Sequence, residues 1–162
     1  MGLRNRYRLA SSNGPLWLTV PILGGREQRT AVGRIGIDNQ QPWQRTHWRS
    51  IASIYRRTPF FEHYEPSLYP LFHTPYASLA AFNTDTICWC RQALRFSITP
   101  ELHARIPETG DFLDRRERWL DWHPFPSRSY HQPFVERIGF VPGASVLDLL
   151  FNEGPAAGSF IS

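Results

Sequence analysis

Apolar and polar residues alternate in two short segments near the start of the chain. Tyr7–Ala10 and Leu16–Ile22 have the composition of strands, and the turn-forming residues 11–14 separate them. This order predicts a β-hairpin. The residues of Val32–Ile37 alternate again, which predicts a third strand.

Helical periodicity follows, with apolar residues on one face of a segment that begins near Pro42 and ends at Thr58-Pro59. Asn39 is placed to cap this helix. Its predicted inner face consists of Trp43, His47, Ile51, Ile54 and Tyr55. A second helix is predicted over about residues 76–95. Its predicted inner face consists of Leu79, Phe82, Ile87, Cys90 and Leu94.

The last third of the chain has a different character. Residues 97–135 are rich in proline, arginine and aromatic residues and are predicted to be irregular. A short, mostly apolar helix is predicted over Val146–Asn152, with Ser145 as its cap and Gly154-Pro155 after it. The predicted class is α+β: a small mixed sheet or hairpin at the N-terminus, three or so helices and a long irregular segment.

Composition indicates one globular domain over residues 1–162, since 41% of the residues are hydrophobic and 20% are charged. The chain has 6 Trp, 6 Tyr and 11 Phe. A domain of this size cannot bury so many large rings completely, so some of them are expected to line a groove.

All 18 basic residues are arginines, and the net charge is +4. The absence of lysine excludes Schiff-base chemistry and a phosphate-loop lysine. Any bound anion must therefore be held by guanidinium or backbone N–H groups. The arginines are scattered along the chain, which does not indicate specific nucleic-acid binding.

Cys88 and Cys90 lie two residues apart in a predicted helix, so their side chains diverge and cannot form a disulfide. Free thiols fit a reducing compartment. The chain starts without a secretion signal and has no apolar run of the ~20 residues that a membrane span needs. We therefore expect a cytoplasmic protein. No metal-binding or cofactor-binding motif occurs, so neither a metal nor a cofactor is expected.

Ordered segments over nearly the whole chain resemble the WbqC-like protein family. They are Asn5-Arg6, Leu18–Ile22, Trp43, Thr46–Tyr55, Pro59–Tyr64, Asp114, Arg116, Tyr130–Phe134, Gly139–Pro142, Ser145–Asn152 and Gly154-Pro155. The resemblance implies a role in the synthesis of bacterial O-antigen or exopolysaccharide. Members that resemble this chain carry some tens of residues before the Asn-Arg pair, so a shortened member or a start assigned too late is expected. Gly143 also departs from the family pattern, which implies Asn there.

Two candidate catalytic residues have competing structural interpretations. His47 lies on an apolar helix face, where it is either a core histidine with satisfied ring nitrogens or a general acid or base. Asp148 is either the carboxylate of a capping box, which accepts from its own helix, or a partly desolvated functional carboxylate.

Asp114 and Arg116 form a further candidate pair, in which Arg116 binds a phosphate or carboxylate of the substrate and Asp114 orients Arg116. The alternative is a solvated turn with weak ion pairs. Asn5 and Arg6 offer similar donors at the start of a strand.

Tyr130 and Gln132 should face the same side of an extended segment, with His131 on the other side. There they form either a polar wall for a sugar or amide or a buttress for their loop.

Two functions from different classes follow. The first is a metal-free transferase that acts on an activated amino sugar or similar carbohydrate precursor, with arginines holding the anionic donor and His47 transferring protons. The second is a non-catalytic binding or assembly component of a polysaccharide pathway, which predicts partner capture or oligomerisation, a homo-oligomer included, without turnover.

Overall fold

The computed structural model describes residues 5–24, 32–97 and 128–161. The fold starts with an antiparallel hairpin of β1 (Arg6–Ser11) and β2 (Gly14–Thr19), which are joined by a two-residue turn. Gly14 has a φ of +99°, which glycine adopts without a steric penalty. The predicted hairpin is confirmed, although β2 begins before Leu16 and ends at Thr19.

The predicted third strand, Val32–Ile37, is wrong. The chain forms a 3₁₀ turn at Val32–Arg34, and isolated bridges then pair Ile37 with Ile22 and Gly36 with Ser78. A Cβ at Gly36 would lie 2.8 Å from the Leu23 side chain, so these segments approach closely. Each bridge pairs a single residue, and no ladder extends from it, because the segment contacts two different parts of the chain in turn.

Five α-helices follow in the described residues. They are α1 (Trp43–Tyr55), α2 (Phe61–Leu68), α3 (Leu79–Ala93), α4 (Val135–Ile138) and α5 (Val146–Glu153). A 3₁₀ segment, Tyr69–Phe72, continues α2, and another, Gly154–Phe160, continues α5. The α+β class is confirmed. Helix α2 was not predicted from the sequence, and it contains Pro66.

Helix α1 keeps the predicted inner face, except that Ile54 is only partly buried. The predicted cap by Asn39 is wrong. The Asn39 amide instead donates to the backbone oxygen of Tyr76 at 2.8 Å and accepts from the Trp43 indole at 3.3 Å. It therefore connects the start of α1 to the segment before α3.

Helix α3 begins at Ser78, whose hydroxyl accepts from the backbone N–H of Ala81. The predicted burial of Ile87 is wrong, since this side chain is 53% exposed and Trp89 is buried in its place. Each helical residue turns about 100°, which puts Trp89 close to the direction of Phe82 and Ile87 far from it. Cys88 and Cys90 are free, as expected.

Helix α5 lies in the core, and Phe151 contacts the rings of Tyr55 and Phe61. The helix ends at Gly154, which has a φ of +55°. A Cβ there would lie 2.5 Å from the Phe60 ring, so only glycine allows this close packing. Among the helices described, none is long and apolar enough to cross a membrane.

Candidate functional site

The inner face of α1 carries His47 into the space beneath the hairpin. The Tyr7 hydroxyl lies 3.1 Å from Nδ1 of His47, and the backbone of Thr19 forms a further hydrogen bond with the ring. The side chain is 3% exposed, and its burial lowers the pKa to about 4. His47 is therefore neutral near pH 7, with the geometry of a core histidine whose ring nitrogens are satisfied.

Asp148 lies on α5 and is completely buried. Its Oδ2 accepts from the Tyr130 hydroxyl at 2.5 Å and from the Gln132 amide at 2.8 Å. Burial raises the pKa of this carboxyl, and hydrogen bonds from Tyr130, Tyr55 and Gln132 oppose part of that rise. We call Asp148, Tyr130, Gln132 and Tyr55 the buried carboxyl cluster.

The capping-box interpretation of Asp148 is wrong. The Ser145 hydroxyl accepts from the backbone N–H of Leu147 and is the side-chain cap of α5. The Asp148 side chain is turned toward residues 130–132 instead. Its carboxyl thereby fastens a loop to the core rather than satisfying its own helix.

Gln132 connects this cluster to a second part of the backbone. Its Oε1 accepts from the N–H of Val141 at 2.8 Å, and its Nε2 lies 3.1 Å from the carbonyl oxygen of Val141. Tyr130 and Gln132 are both buried and His131 is exposed, so the predicted alternation of these three side chains is confirmed.

His131 lies on the wall of an open cleft of about 990 Å³ between the C-terminal half of α1 and residues 131–134. Arg49, Arg56 and Arg57 also line the cleft, and no carboxylate of the described residues does. Asn152 of α5 contributes to the wall and donates to the backbone oxygen of Asp148 at 2.7 Å. We call this the arginine cleft, and the buried carboxyl cluster lies behind the loop that forms one side of it.

A smaller pocket of about 260 Å³ lies among the start of β1, α3 and the start of α5. Asn5 and Arg6, two of the predicted substrate-binding residues, line it. Most of its other walls are apolar side chains. We call it the apolar pocket.

The structure thus brings Asp148, Tyr130 and Gln132 together, while His47 belongs to a separate buried group and Asn5 and Arg6 to the apolar pocket. Asp114 and Arg116 lie outside the described residues. Sequence reasoning did not select Arg49, Arg56, Arg57 and His131. The available signal was the polar face of α1, which carries Arg49, and the pair Arg56-Arg57 directly after the helix. Arg49 and Arg56 are seven positions apart, close to two helical turns, so they point in similar directions.

The chemistry of the arginine cleft is that of an anion site. Guanidinium groups match carboxylates and phosphates, and a histidine can transfer protons. Among the described residues, no group of three or more His, Cys, Asp or Glu side chains is arranged to hold a metal ion.

Together these features define a small α+β protein with an arginine-lined cleft supported by a buried carboxyl. The model of the WbqC-like protein family matches residues 1–118, and the chain belongs to this family. The chain is also similar to the uncharacterized protein Rv1507c of Mycobacterium tuberculosis (strain ATCC 25618 / H37Rv). The two are 27% identical over 192 aligned residues, which cover 98% of this chain and 80% of the relative. No solved structure matches the chain significantly.

Proposed function

We propose that the chain is a metal-free transferase that binds an activated, negatively charged sugar in the arginine cleft and acts in the synthesis of bacterial surface polysaccharide. The observation that carries this proposal is the placement of Arg49, Arg56 and Arg57 on one cleft with His131 and without a described carboxylate. Such a wall attracts phosphate groups and leaves one side chain for proton transfer.

The size of the cleft supports a substrate as large as a nucleotide sugar. Its volume of about 990 Å³ is at the upper end of the ~300–1,000 Å³ typical of small-molecule sites. Arginines there would neutralise a diphosphate, and partly exposed aromatic walls such as Trp48 suit a sugar or base ring.

His131 is the side chain that we assign to proton transfer, since it lies on the cleft wall. His47 is buried with its ring nitrogens engaged, and Asp148 is sealed from solvent, so their catalytic roles stay predictions. In this proposal Asp148 positions the loop that carries His131, and the roles of Asp114 and Arg116 stay predictions as well.

Binding is tested first, by calorimetric titration with UDP-N-acetylglucosamine, inorganic pyrophosphate and free N-acetylglucosamine. We expect both anionic probes to bind and the neutral sugar to bind far more weakly. The double variant Arg56→Gln/Arg57→Gln should weaken nucleotide-sugar binding at least about tenfold, since two charge-assisted contacts are removed. The matched control Arg45→Gln/Arg137→Gln removes the same charge from exposed positions outside the cleft. Equal weakening in both double variants would mean that only net charge matters and would refute the site.

Turnover is tested by the release of nucleoside diphosphate from a panel of nucleotide sugars with amine and hydroxyl acceptors. His131→Ala should reduce release by about 100-fold or more while the Kd of the nucleotide sugar stays within about twofold. A variant that keeps full turnover would remove His131 from the mechanism.

The alternative function is a non-catalytic binding component of the same pathway. The observation that favours it is the burial of both His47 and Asp148. Among the described residues that line the arginine cleft, His131 is then the candidate for acid–base catalysis. It predicts binding of the same anionic probes with no product from any acceptor in the panel.

A further inference from the structure

We propose that the apolar pocket is a second binding site, which takes a short-chain carboxylate with its hydrocarbon tail inside the pocket and its carboxylate on Arg6. This site is independent of the arginine cleft, because the two share no lining residue among those described. Either site can therefore fail without the other.

The walls of the pocket fit a hydrocarbon tail. Leu68 and Phe72 face it from one side, Phe82 and Trp89 from α3, and Val146 from the start of α5. Several elements of the fold line it, so the pocket is a partly open concavity rather than a flat apolar face. Its volume of about 260 Å³ is below the range of drug-sized sites, so it admits a short chain and excludes a nucleotide sugar.

Arg6 supplies the complementary charge. Its Nε is buried and has no hydrogen-bond acceptor among the described residues. Its guanidinium group lies 4.7 Å from the centre of the Trp17 ring, a cation–π contact. No carboxylate among the described residues lines the pocket. Nε itself is closed to solvent, so a carboxylate in the pocket would accept from the terminal nitrogens of the guanidinium group, whose fork matches its geometry.

Other polar groups on the wall are already engaged within the protein. The Asn5 amide donates to the Val20 backbone oxygen at 3.0 Å, and the Thr86 hydroxyl donates to the Phe82 backbone oxygen at 2.7 Å. The Tyr7 hydroxyl is bonded to His47. The pocket therefore offers the Arg6 cation and an apolar interior, which matches a monoanion with one tail better than a sugar with many hydroxyls.

Calorimetry with hexanoate, hexanol and acetate separates the two parts of this ligand. We expect hexanoate to bind about tenfold more tightly than hexanol, which lacks the charge, and acetate, which lacks the tail, to give no measurable binding. Arg6→Gln should reduce hexanoate binding about tenfold and leave hexanol unchanged. The control Arg34→Gln removes an exposed arginine outside the pocket and should change neither. If hexanoate and hexanol bind equally, or if Arg6→Gln has no effect, the proposal is wrong.

Two further readouts locate the ligand, with circular dichroism to confirm that each variant is folded. Cys90 lines the pocket and Cys88 does not, so hexanoate should slow the alkylation of Cys90 and leave that of Cys88 unchanged. Thr86→Leu should fill the pocket and weaken hexanoate and hexanol together. Protection of both cysteines, or of neither, would place the binding elsewhere and overturn the assignment.

Discussion

The Tyr130 hydroxyl donates a 2.5 Å hydrogen bond to Oδ2 of Asp148, and both residues are buried. This bond joins a loop of the last third of the chain to α5 and thereby fixes one wall of the arginine cleft. The carboxyl is a structural support whose protonation also affects stability.

Asp148 should make the protein less stable as the pH rises. Burial raises its pKa above the ordinary 3.8, so the folded state keeps the proton to a higher pH than the unfolded state does. The resulting contribution is present below pH 3.8 and is lost as the pH rises through the folded pKa. Urea unfolding of the wild type and Asp148→Asn across this window checks the sign. The unfolding free energy of the wild type minus that of Asp148→Asn should fall with rising pH, and a rise would contradict the raised pKa.

His47 should make the protein less stable as the pH falls. Burial lowers its pKa from 6.5 to about 4, so the unfolded state takes up a proton first as the pH falls. Its contribution is fully present above pH 6.5 and is lost as the pH falls toward 4. Between pH 7 and pH 5 the loss should be about 2 kcal/mol. His47→Gln should remove this slope in urea unfolding, while His63→Gln, a change at an exposed position, should keep it.

Gln132 should be more important for stability than its neighbour on the same loop. Gln132→Leu leaves the N–H of Val141 without its 2.8 Å acceptor and removes a donor from Asp148. We expect a loss of about 3 kcal/mol in unfolding free energy. His131→Leu changes an exposed side chain and should cost less than about 0.5 kcal/mol. Similar losses in the two variants would argue against the buried carboxyl cluster as the support of the loop.

Gly154 should tolerate no side chain. Alanine there combines a strained φ of +55° with a Cβ 2.5 Å from the Phe60 ring, and should cost about 2 kcal/mol or more. Gly139 has a φ of +73° and a ψ of 178° with nothing within 4 Å of its Cβ position, so Gly139→Ala should show only the backbone strain of about 1–3 kcal/mol. In a Phe60→Ala background the cost of Gly154→Ala should fall. An unchanged cost would show that contact with this ring is not the cause.

The sequence predicted those parts of the fold whose signal is local. The hairpin, α1, α3 and α5 follow from turn residues and apolar periodicity. The prediction of a third strand was wrong because the alternation of Val32–Ile37 does not reveal that the bridge partners of this segment belong to two different parts of the chain. The predicted burial of Ile87 was wrong because apolar character alone does not show which face of α3 is covered.

Only part of the candidate site was predictable from the sequence. The alternation of Tyr130, His131 and Gln132 followed from extended geometry, but their partner on α5 lies sixteen or more positions away and depends on tertiary contacts. The arginine cleft was missed for the same reason. Arg49 is on the polar face of α1, Arg56 and Arg57 directly follow the helix, and the folded loop at 131–134 completes the cleft.

The hairpin touches both buried polar groups through one strand. Tyr7 meets His47, and the N–H of Ala10 donates to the hydroxyl of Tyr55, eight positions farther along α1. Eight helical residues rise about 12 Å, and the three residues from Tyr7 to Ala10 span about 10 Å. The two hydrogen-bonded positions are therefore spaced almost equally along the strand and along the helix. A shift of β1 along α1 would therefore break the Tyr7–His47 and Ala10–Tyr55 hydrogen bonds together. A substitution of His47 that moves β1 would in this way disturb Tyr55 in the buried carboxyl cluster without any direct contact between His47 and that cluster.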